Sequence, residues 1–451
     1  MSFDPCDKLA IVILGAGRGT RLRSTRPKVL HPVAGQSMLA WVQAAAQALA
    51  PQHLITVLGP EVEDPDLGMD LNLAGTIVTQ NDRRGTGHAM QLVRPALAGF
   101  SGWVLVLYGD TALIQPETLT ALVALGQAQQ ADLVVTGFRP QDPSGYGRLL
   151  VIDGQLSAIV EQRDASAAQR QITLCNGGLM ALRAPGCLAL LDKLQTDNAA
   201  GELYLTDLVG LVNAEGGRAL VYDCAEEELK GVNTRAELAE VEGLMQARLR
   251  RRHLDAGVTM HAPETVYLSH DTKIGQDTVL EPHQVFGPGV TLGAGVRLRA
   301  YCHLQGAEIG DRAVLGPYAR LRPGSRLAAG VQIGNFVEVK NAQLDSGAKV
   351  KHLSYIGDAH IGAKANIGAG TIICNYDGFA KHWTQVGAGA FIGSNSALVA
   401  PIAVGAGAFV GAGSTLTQDV ADEALAVTRP DLRTVTGGAA QLRKKLAKVA
   451  P

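Results

Sequence analysis

Aromatic side chains are scarce in this chain: they make up 4% of 451 residues, with 8 Phe, 9 Tyr and 3 Trp against 53 Gly. That imbalance points to tight, repetitive backbone somewhere along it. Net charge is lacking too, because 40 basic residues meet 42 acidic ones and leave −2. A near-neutral chain argues against a nucleic acid or a membrane surface as the main partner. The six cysteines, Cys6, Cys175, Cys187, Cys224, Cys302 and Cys374, never form a C-x-x-C pair. A zinc site is therefore not expected, and a reduced, cytosolic setting is the simpler reading. No apolar run is long enough to insert into a bilayer, and the first residues lack the charged and apolar blocks of a secretory signal.

What is present divides in two. The length suits two domains, and 47% hydrophobic content supplies a sizeable core. In the first half strand and helix alternate. Residues 9–14, 54–58, 76–79 and 103–107 read as strands. Residues 37–50, 87–97 and 116–129 read as helices, the first capped by Ser37 and the last opened by Pro116. This alternation predicts an α/β domain with a mostly parallel sheet, whose ligands sit at the carboxyl ends of the strands. Residues 234–254 read as a connecting helix stopped by Gly257, and the run "RLRRR" in it as a solvated helix face. The final "QLRKKLAKVA" reads as a short basic helix.

From about Ile274 onward apolar residues, nearly all aliphatic, recur every six positions, as in Ile274, Leu280, Phe286, Leu292, Leu298 and Leu304. The phase slips by one and resumes at Ile309, and later at Val350, Ile361 and Val386. A six-residue period fits neither a helix nor an isolated strand pair. It predicts a parallel β-helix of hexapeptide repeats, each aliphatic pointing inward and small residues turning the backbone between faces. The phase breaks at "CNYDGFAKHWTQ", and a loop expelled from a solenoid is a candidate for function.

The opening "LAIVILGAGRGTRLRSTRPKVLHPVAG" runs a strand into a glycine-rich turn. A dinucleotide, an ATP γ-phosphate or a nucleotide sugar could lie there. The dinucleotide fingerprint fails because the sixth position from Gly15 is Thr20, and no P-loop spacing exists. The stretch "LGAGRGTRLRSTRPKVL" resembles the signature of sugar-1-phosphate nucleotidyltransferases. The glycines let backbone N–H groups approach a triphosphate, and Arg21 and Lys28 can neutralise charge as pyrophosphate leaves. Gly15 stands where that family usually carries alanine, which predicts a looser turn. The resemblance implies nucleotide-sugar binding by Leu14, Gly15, Ala16, Gly17, Lys28, Gln80, Gly85, Thr86, Gly147, Glu161, Asn176 and Asn233. It implies Mg2+ held by Asp110 and Asn233, an ion that takes oxygen ligands and few protein carboxylates.

In the second half, the stretch from "RLRPGSRL" to "CNYDG" resembles the acetyltransferase half of the bacterial bifunctional N-acetylglucosamine-1-phosphate uridyltransferase and glucosamine-1-phosphate N-acetyltransferase family. With the first half included, the resemblance covers nearly the whole chain. It implies His352 as the catalytic base, an imidazole being suited to proton transfer near neutral pH. It implies Arg322, Lys340, Tyr355 and Asn366 for glucosamine-1-phosphate, and Ala369, Asn375, Tyr376, Ser394, Ala412 and Arg429 for acetyl-CoA. Glu338 is the candidate to orient His352. Before Arg322 the chain is about one coil, roughly eighteen residues, shorter than common family members.

The expected architecture is thus α/β: an N-terminal Rossmann-like nucleotidyltransferase sheet domain (1–233), a linker helix (234–256) and a C-terminal left-handed parallel β-helix (257–451). The left hand comes from the resemblance, not from spacing. The implied activities make UDP-N-acetylglucosamine from acetyl-CoA, glucosamine-1-phosphate and UTP in the bacterial cytoplasm. The implied assembly is a homotrimer, with no nucleic-acid partner and no membrane insertion. A nucleotidyltransferase whose solenoid only oligomerises is the competing reading, and a non-enzymatic scaffold is the third.

Overall fold

A computed structural model describes residues 8–63, 73–428 and 431–447. The chain forms two compact units, residues 1–248 and 249–451, and the division falls inside the helix Arg235–Asp255.

In the first unit the sequence LAIVIL builds the strand Leu9–Leu14, buried at every position. Ala10, Val12 and Leu14 enter one core, whereas Leu9, Ile11 and Ile13 enter the core on the other face. A strand packed on both faces needs such a continuous apolar run. Strand order across the sheet is Ala219–Asp223, Leu133–Phe138, Cys175–Ala184, Gly102–Tyr108, Leu9–Leu14, His53–Leu58 and Thr76–Thr79. The Ser37 hydroxyl accepts from the Ala40 N–H and caps the helix Met38–Gln47. Pro116 opens the helix Pro116–Ala128.

One element departs from the mostly parallel expectation. The ten-residue strand Cys175–Ala184 runs antiparallel to both of its neighbours, so the sheet is mixed. Its start therefore lies at the carboxyl ends of the flanking strands, with Cys175 opposite Phe138 and Asn176 opposite Gly137. That reversal delivers Asn176 to the rim where the Gly15 turn and the Asp110 loop emerge.

The helix Arg235–Asp255 starts in a capping box. The Asn233 and Thr234 N–H groups donate to Glu237 Oε2 at 2.6 and 2.8 Å, and Glu237 N–H donates to Thr234 Oγ1 at 3.2 Å. It ends in a Schellman turn: Gly257 N–H donates to Leu254 O, Val258 N–H donates to His253 O, and Gly257 has φ +89°. The run Arg248–Arg252 is not wholly solvated. The Arg248 guanidinium donates to the Leu113 carbonyl at 2.8 Å, and that of Arg250 to the Val266 carbonyl at 3.2 Å.

The second unit is the expected left-handed parallel β-helix. Val279 pairs with Arg297 eighteen residues on, and Arg297 with Val314 after seventeen. The inward aliphatics Leu280, Leu298, Leu315, Val350, Ile361, Ile392 and Val410 are fully buried, each contributing on the order of 1.5–3 kcal/mol. Among the described residues one coil stands out as long: Asn366 pairs with Phe391 twenty-five residues on, and the extra chain is the predicted loop. One corner breaks the expectation of small turning residues. His283, Tyr301, Tyr318, Phe336 and Leu353 occupy it on successive coils with φ between +49° and +62°. The first four rings stack at centroid spacings of 4.6, 4.9 and 5.2 Å. Each stack offsets part of the left-handed backbone cost, about 0.5–1.5 kcal/mol against about 1–2.

Candidate functional sites

A cavity of about 450 Å3 opens where the strand Leu9–Leu14 ends, and Leu14, Gly15, Ala16, Gly17, Lys28, Gln80, Gly85, Thr86 and Asp110 all line it. The turn is not slack. Gly15 N–H donates to Val57 O at 2.7 Å, and a Cβ on Gly15 would lie 3.0 Å from a Leu58 methyl, which fills the space an alanine would take. Gly17 has nothing within 4 Å of its Cβ direction, so its backbone faces the open cavity. Buried Gln80 donates through its amide to Gly85 O and to His88 Nδ1, both at 3.2 Å. Gly85 has φ +106°, and a Cβ there would meet Leu203 O at 2.5 Å. The Thr86 hydroxyl accepts from Leu205 N–H at 3.1 Å. Arg18, Arg83, Tyr108 and Glu202 also line the cavity and were missed by the sequence reading. Arg83 Nε donates to Ala16 O at 2.5 Å, and its guanidinium pairs with Glu61. Arg21, by contrast, is exposed and does not line the cavity.

Lys28 links the candidate metal ligands. Its ammonium pairs with Asp110 and donates to Asn233 Oδ1 at 3.1 Å. One carboxylate oxygen and one amide oxygen thus converge on a single cationic point. Hard oxygens of this kind fit Mg2+. Among the described residues no group of three or more His, Cys, Asp or Glu could hold a metal, so the shell would be completed by water and substrate oxygens.

The sugar-side candidates are neighbours. Asn176 N–H donates to Gly147 O at 2.8 Å, and a Cβ on Gly147 would lie 3.4 Å from both Glu161 carboxylate oxygens. Burial, then the charges of Asp164 and Asp207, hold the Glu161 carboxyl above its ordinary range. Tyr108 lies between the two groups of residues: burial raises its phenol, and the charges of Glu161 and Asp110 add to that. Gly178 lacks the Cβ that would stand 3.0 Å from the Tyr108 ring.

In the β-helix, His352 and Asn335 stand one coil apart in register, with Asn335 Oδ1 2.9 Å from His352 Nδ1. The amide oxygen only accepts, so Nδ1 is the donor of this bond, and in the neutral imidazole the lone pair then falls on Nε2. Glu338 does not orient His352. It pairs instead with Arg322 at 2.9 Å, because the two sit on adjacent coils of another face. Lys340 lies in the same strand as Glu338. The Lys381 ammonium beside Lys340, desolvation and Arg322 all pull Lys340 below the usual lysine range, against the opposing charge of Asp358. Three cations crowded like this favour an anion among them. Lys381, in the protruding loop, was not foreseen.

Tyr355 pairs with Glu338 across the ladder, and its hydroxyl lies over Gly357, where a Cβ would be 2.4 Å away. Asn375 is buried and its amide donates to Asp358, which also accepts from Asn341 at 2.6 Å. Asn375 therefore ties the root of the loop to the coil below. Tyr376 is exposed, its hydroxyl donating to Gly378 O at 2.6 Å. Ala369, Ser394 and Ala412 form one column: Asn395 N–H donates to Ala369 O, and Gly413 N–H to Ser394 O, on successive coils. Asn366 is half-buried on the face of Lys349 and Phe391. Arg429 lies outside the described residues.

Fold and sites together define a two-part transferase: a nucleotidyltransferase sheet with a glycine turn lining its cavity, followed by a hexapeptide β-helix with a histidine and a cationic cluster. Comparisons with known proteins agree. The MobA-like NTP transferase domain matches residues 11–203, and the hexapeptide repeat of succinyl-transferase matches residues 384–418. The bifunctional protein GlmU of Rhodospirillum rubrum is 54% identical over 98% of this chain and 99% of its own. Those of Rhodopseudomonas palustris strain BisA53 and Ruegeria sp. are 52% and 50% identical, over 96% and 97% of both chains. The chain belongs to the family of bifunctional GlmU proteins.

Proposed function

We propose that residues 1–233 carry a uridyltransferase, residues 234–256 a linker helix and residues 257–451 an N-acetyltransferase. The chain is a bifunctional enzyme that makes UDP-N-acetylglucosamine. The observation that carries the reading is that each compact unit holds its own apparatus. Lys28, Asp110 and Asn233 converge in one, and in the other Asn335 Oδ1 accepts from His352 Nδ1 at 2.9 Å.

In the acetyl-transfer step, Arg322, Lys340 and Lys381 hold the phosphate of glucosamine-1-phosphate. His352 Nε2 takes a proton from the sugar ammonium, and the freed amine attacks the thioester carbonyl of acetyl-CoA. The C–N bond forms, the C–S bond breaks, and CoA leaves as a thiol. Ala369, Ser394 and Ala412 line the CoA side, with Asn375 and Tyr376 near the acetyl group. In the uridylyl step, a phosphate oxygen of N-acetylglucosamine-1-phosphate attacks the α-phosphorus of UTP, and the bond to the bridging oxygen of pyrophosphate breaks in line. Lys28 and Arg18 balance charge on the phosphates, Gln80, Gly85 and Thr86 seat the uracil, and Gly147, Glu161 and Asn176 bind the sugar. Asp110 and Asn233 would hold Mg2+, which when bound supplies positive charge to the phosphate oxygens.

The stacked corner from His283 to Leu353, with Phe336 56% exposed, supports a homotrimer assembled through the β-helix. The five described cysteines are free thiols, which supports a bacterial cytoplasmic setting; no described helix is long and apolar enough to cross a membrane. The reading is tested with two variants of the full chain. Asp110→Ala should lose pyrophosphate formation and keep CoA release, and His352→Ala should do the reverse. Loss of both activities together in either folded variant would contradict the assignment.

A further inference from the structure

Glu228 belongs to no substrate-facing motif, yet it is a buried carboxylate, 9% exposed. It accepts three hydrogen bonds: from Gln115 N–H at 3.1 Å, from the Gln115 side-chain amide at 3.2 Å and from the Thr118 hydroxyl at 2.7 Å. These donors sit at the first turn of the helix Pro116–Ala128, whose own N-cap, Gln115, makes no side-chain cap. A carboxylate from elsewhere in the chain therefore caps this helix, where a negative charge is favoured.

The position of that clamp is what matters. Gln115 lies five residues after Asp110, and Glu228 lies five residues before Asn233. The two short segments that carry the candidate metal ligands are thus pinned to each other at their far ends by Glu228. At their near ends, Gly231 passes Asp110 so closely that a Cβ would stand 3.5 Å from its carboxylate. Lys28 bridges Asp110 and Asn233. Arg248 adds to the same joint: it feels the charge of Glu228 and donates to Leu113 O, within the Asp110–Gln115 segment.

We infer that Glu228 is a positioning residue for the divalent-cation site. By clamping the segment 228–233 to the segment 110–115, it holds the Asn233 amide oxygen and the Asp110 carboxylate at one point. This rests on the reading of Asp110 and Asn233 as metal ligands. Residues that orient ligands from behind typically affect metal affinity by 10- to 100-fold. Glu228→Gln keeps the volume but replaces one acceptor oxygen with a donor facing the Thr118 hydroxyl and the Gln115 amide.

The test titrates Mg2+ into the full chain saturated with UDP-N-acetylglucosamine, followed by calorimetry, with the nucleotide sugar alone as blank. Glu228→Gln should weaken Mg2+ binding about tenfold or more, raise the Mg2+ concentration for half-maximal uridyltransferase rate in step, and leave CoA release untouched. Thr118→Val, which removes one of the three bonds, should move Mg2+ affinity the same way by less, and serves if Glu228→Gln does not fold. Asp110→Asn is the control for the underlying reading. If it binds Mg2+ like the parent, the ligand assignment fails whatever Glu228 does. If Asp110→Asn loses Mg2+ while Glu228→Gln and Thr118→Val keep the parent affinity, even with a lowered urea midpoint, Glu228 is only structural and the inference is overturned.

Discussion

Replacing Asn335 with alanine removes the acceptor that sets the tautomer of His352. The bond is 2.9 Å long and lies at the exposed surface of the β-helix. A net hydrogen bond of this kind contributes about 0.5–1.5 kcal/mol, which converts to a 2- to 12-fold loss at about 1.4 kcal/mol per decade. Loss of the base itself should cost about 10²- to 10⁴-fold, so the two effects are separable. Asn335→Asp pushes the other way. A carboxylate beside Nδ1 favours the imidazolium and raises the titration of His352. The acidic limb of the acetyl-transfer profile should then move to higher pH. The assay is the initial rate of CoA thiol release from pH 5 to 9, with pyrophosphate formation by the same variants as the folding control. An Asn335→Ala rate equal to the parent, together with an unmoved limb in Asn335→Asp, would refute the assignment of Asn335 as the group that holds His352.

Three further outcomes follow from single positions. Gly85→Ala places a methyl 2.5 Å from Leu203 O at φ +106°; strain of about 1–3 kcal/mol should raise the KM for UTP and lower the first unfolding midpoint, while CoA release is unchanged. Leu315→Ala empties a fully buried rung of the β-helix and should cost about 2–5 kcal/mol in urea unfolding of the second unit. Glu161→Gln tests the raised carboxyl. The native protein loses stability as pH climbs from the ordinary value of 4.5 toward the raised one, because the charged form is disfavoured in the fold. The glutamine variant lacks that loss, so its stability relative to the parent should rise across this window and stay level above it, as read by urea midpoints.

Much of this was legible in the sequence because local rules decide it. The strand Leu9–Leu14 and the cap at Ser37 follow from an apolar run and a hydroxyl before a helix. The hexapeptide phase marked nearly every inward residue of the solenoid. What was hidden depends on partners a coil or a domain-length apart. Nothing near residue 175 signals that Cys175–Ala184 runs antiparallel. Asn335 reaches His352 because a coil is seventeen residues long there, and Glu338 faces Arg322 for the analogous reason on another face. A search of the sequence at strides of seventeen and eighteen would have found the Asn335–His352 pair and the stacked corner. No such stride links Glu228 to Gln115 and Thr118, which only the folded sheet brings together.

The most direct test of the central claim is CoA thiol release from acetyl-CoA with glucosamine-1-phosphate present and UTP absent. The account predicts rapid release that requires the sugar phosphate and survives Asp110→Ala. No release, from protein that still forms pyrophosphate from UTP and N-acetylglucosamine-1-phosphate, would contradict it and leave the β-helix a scaffold.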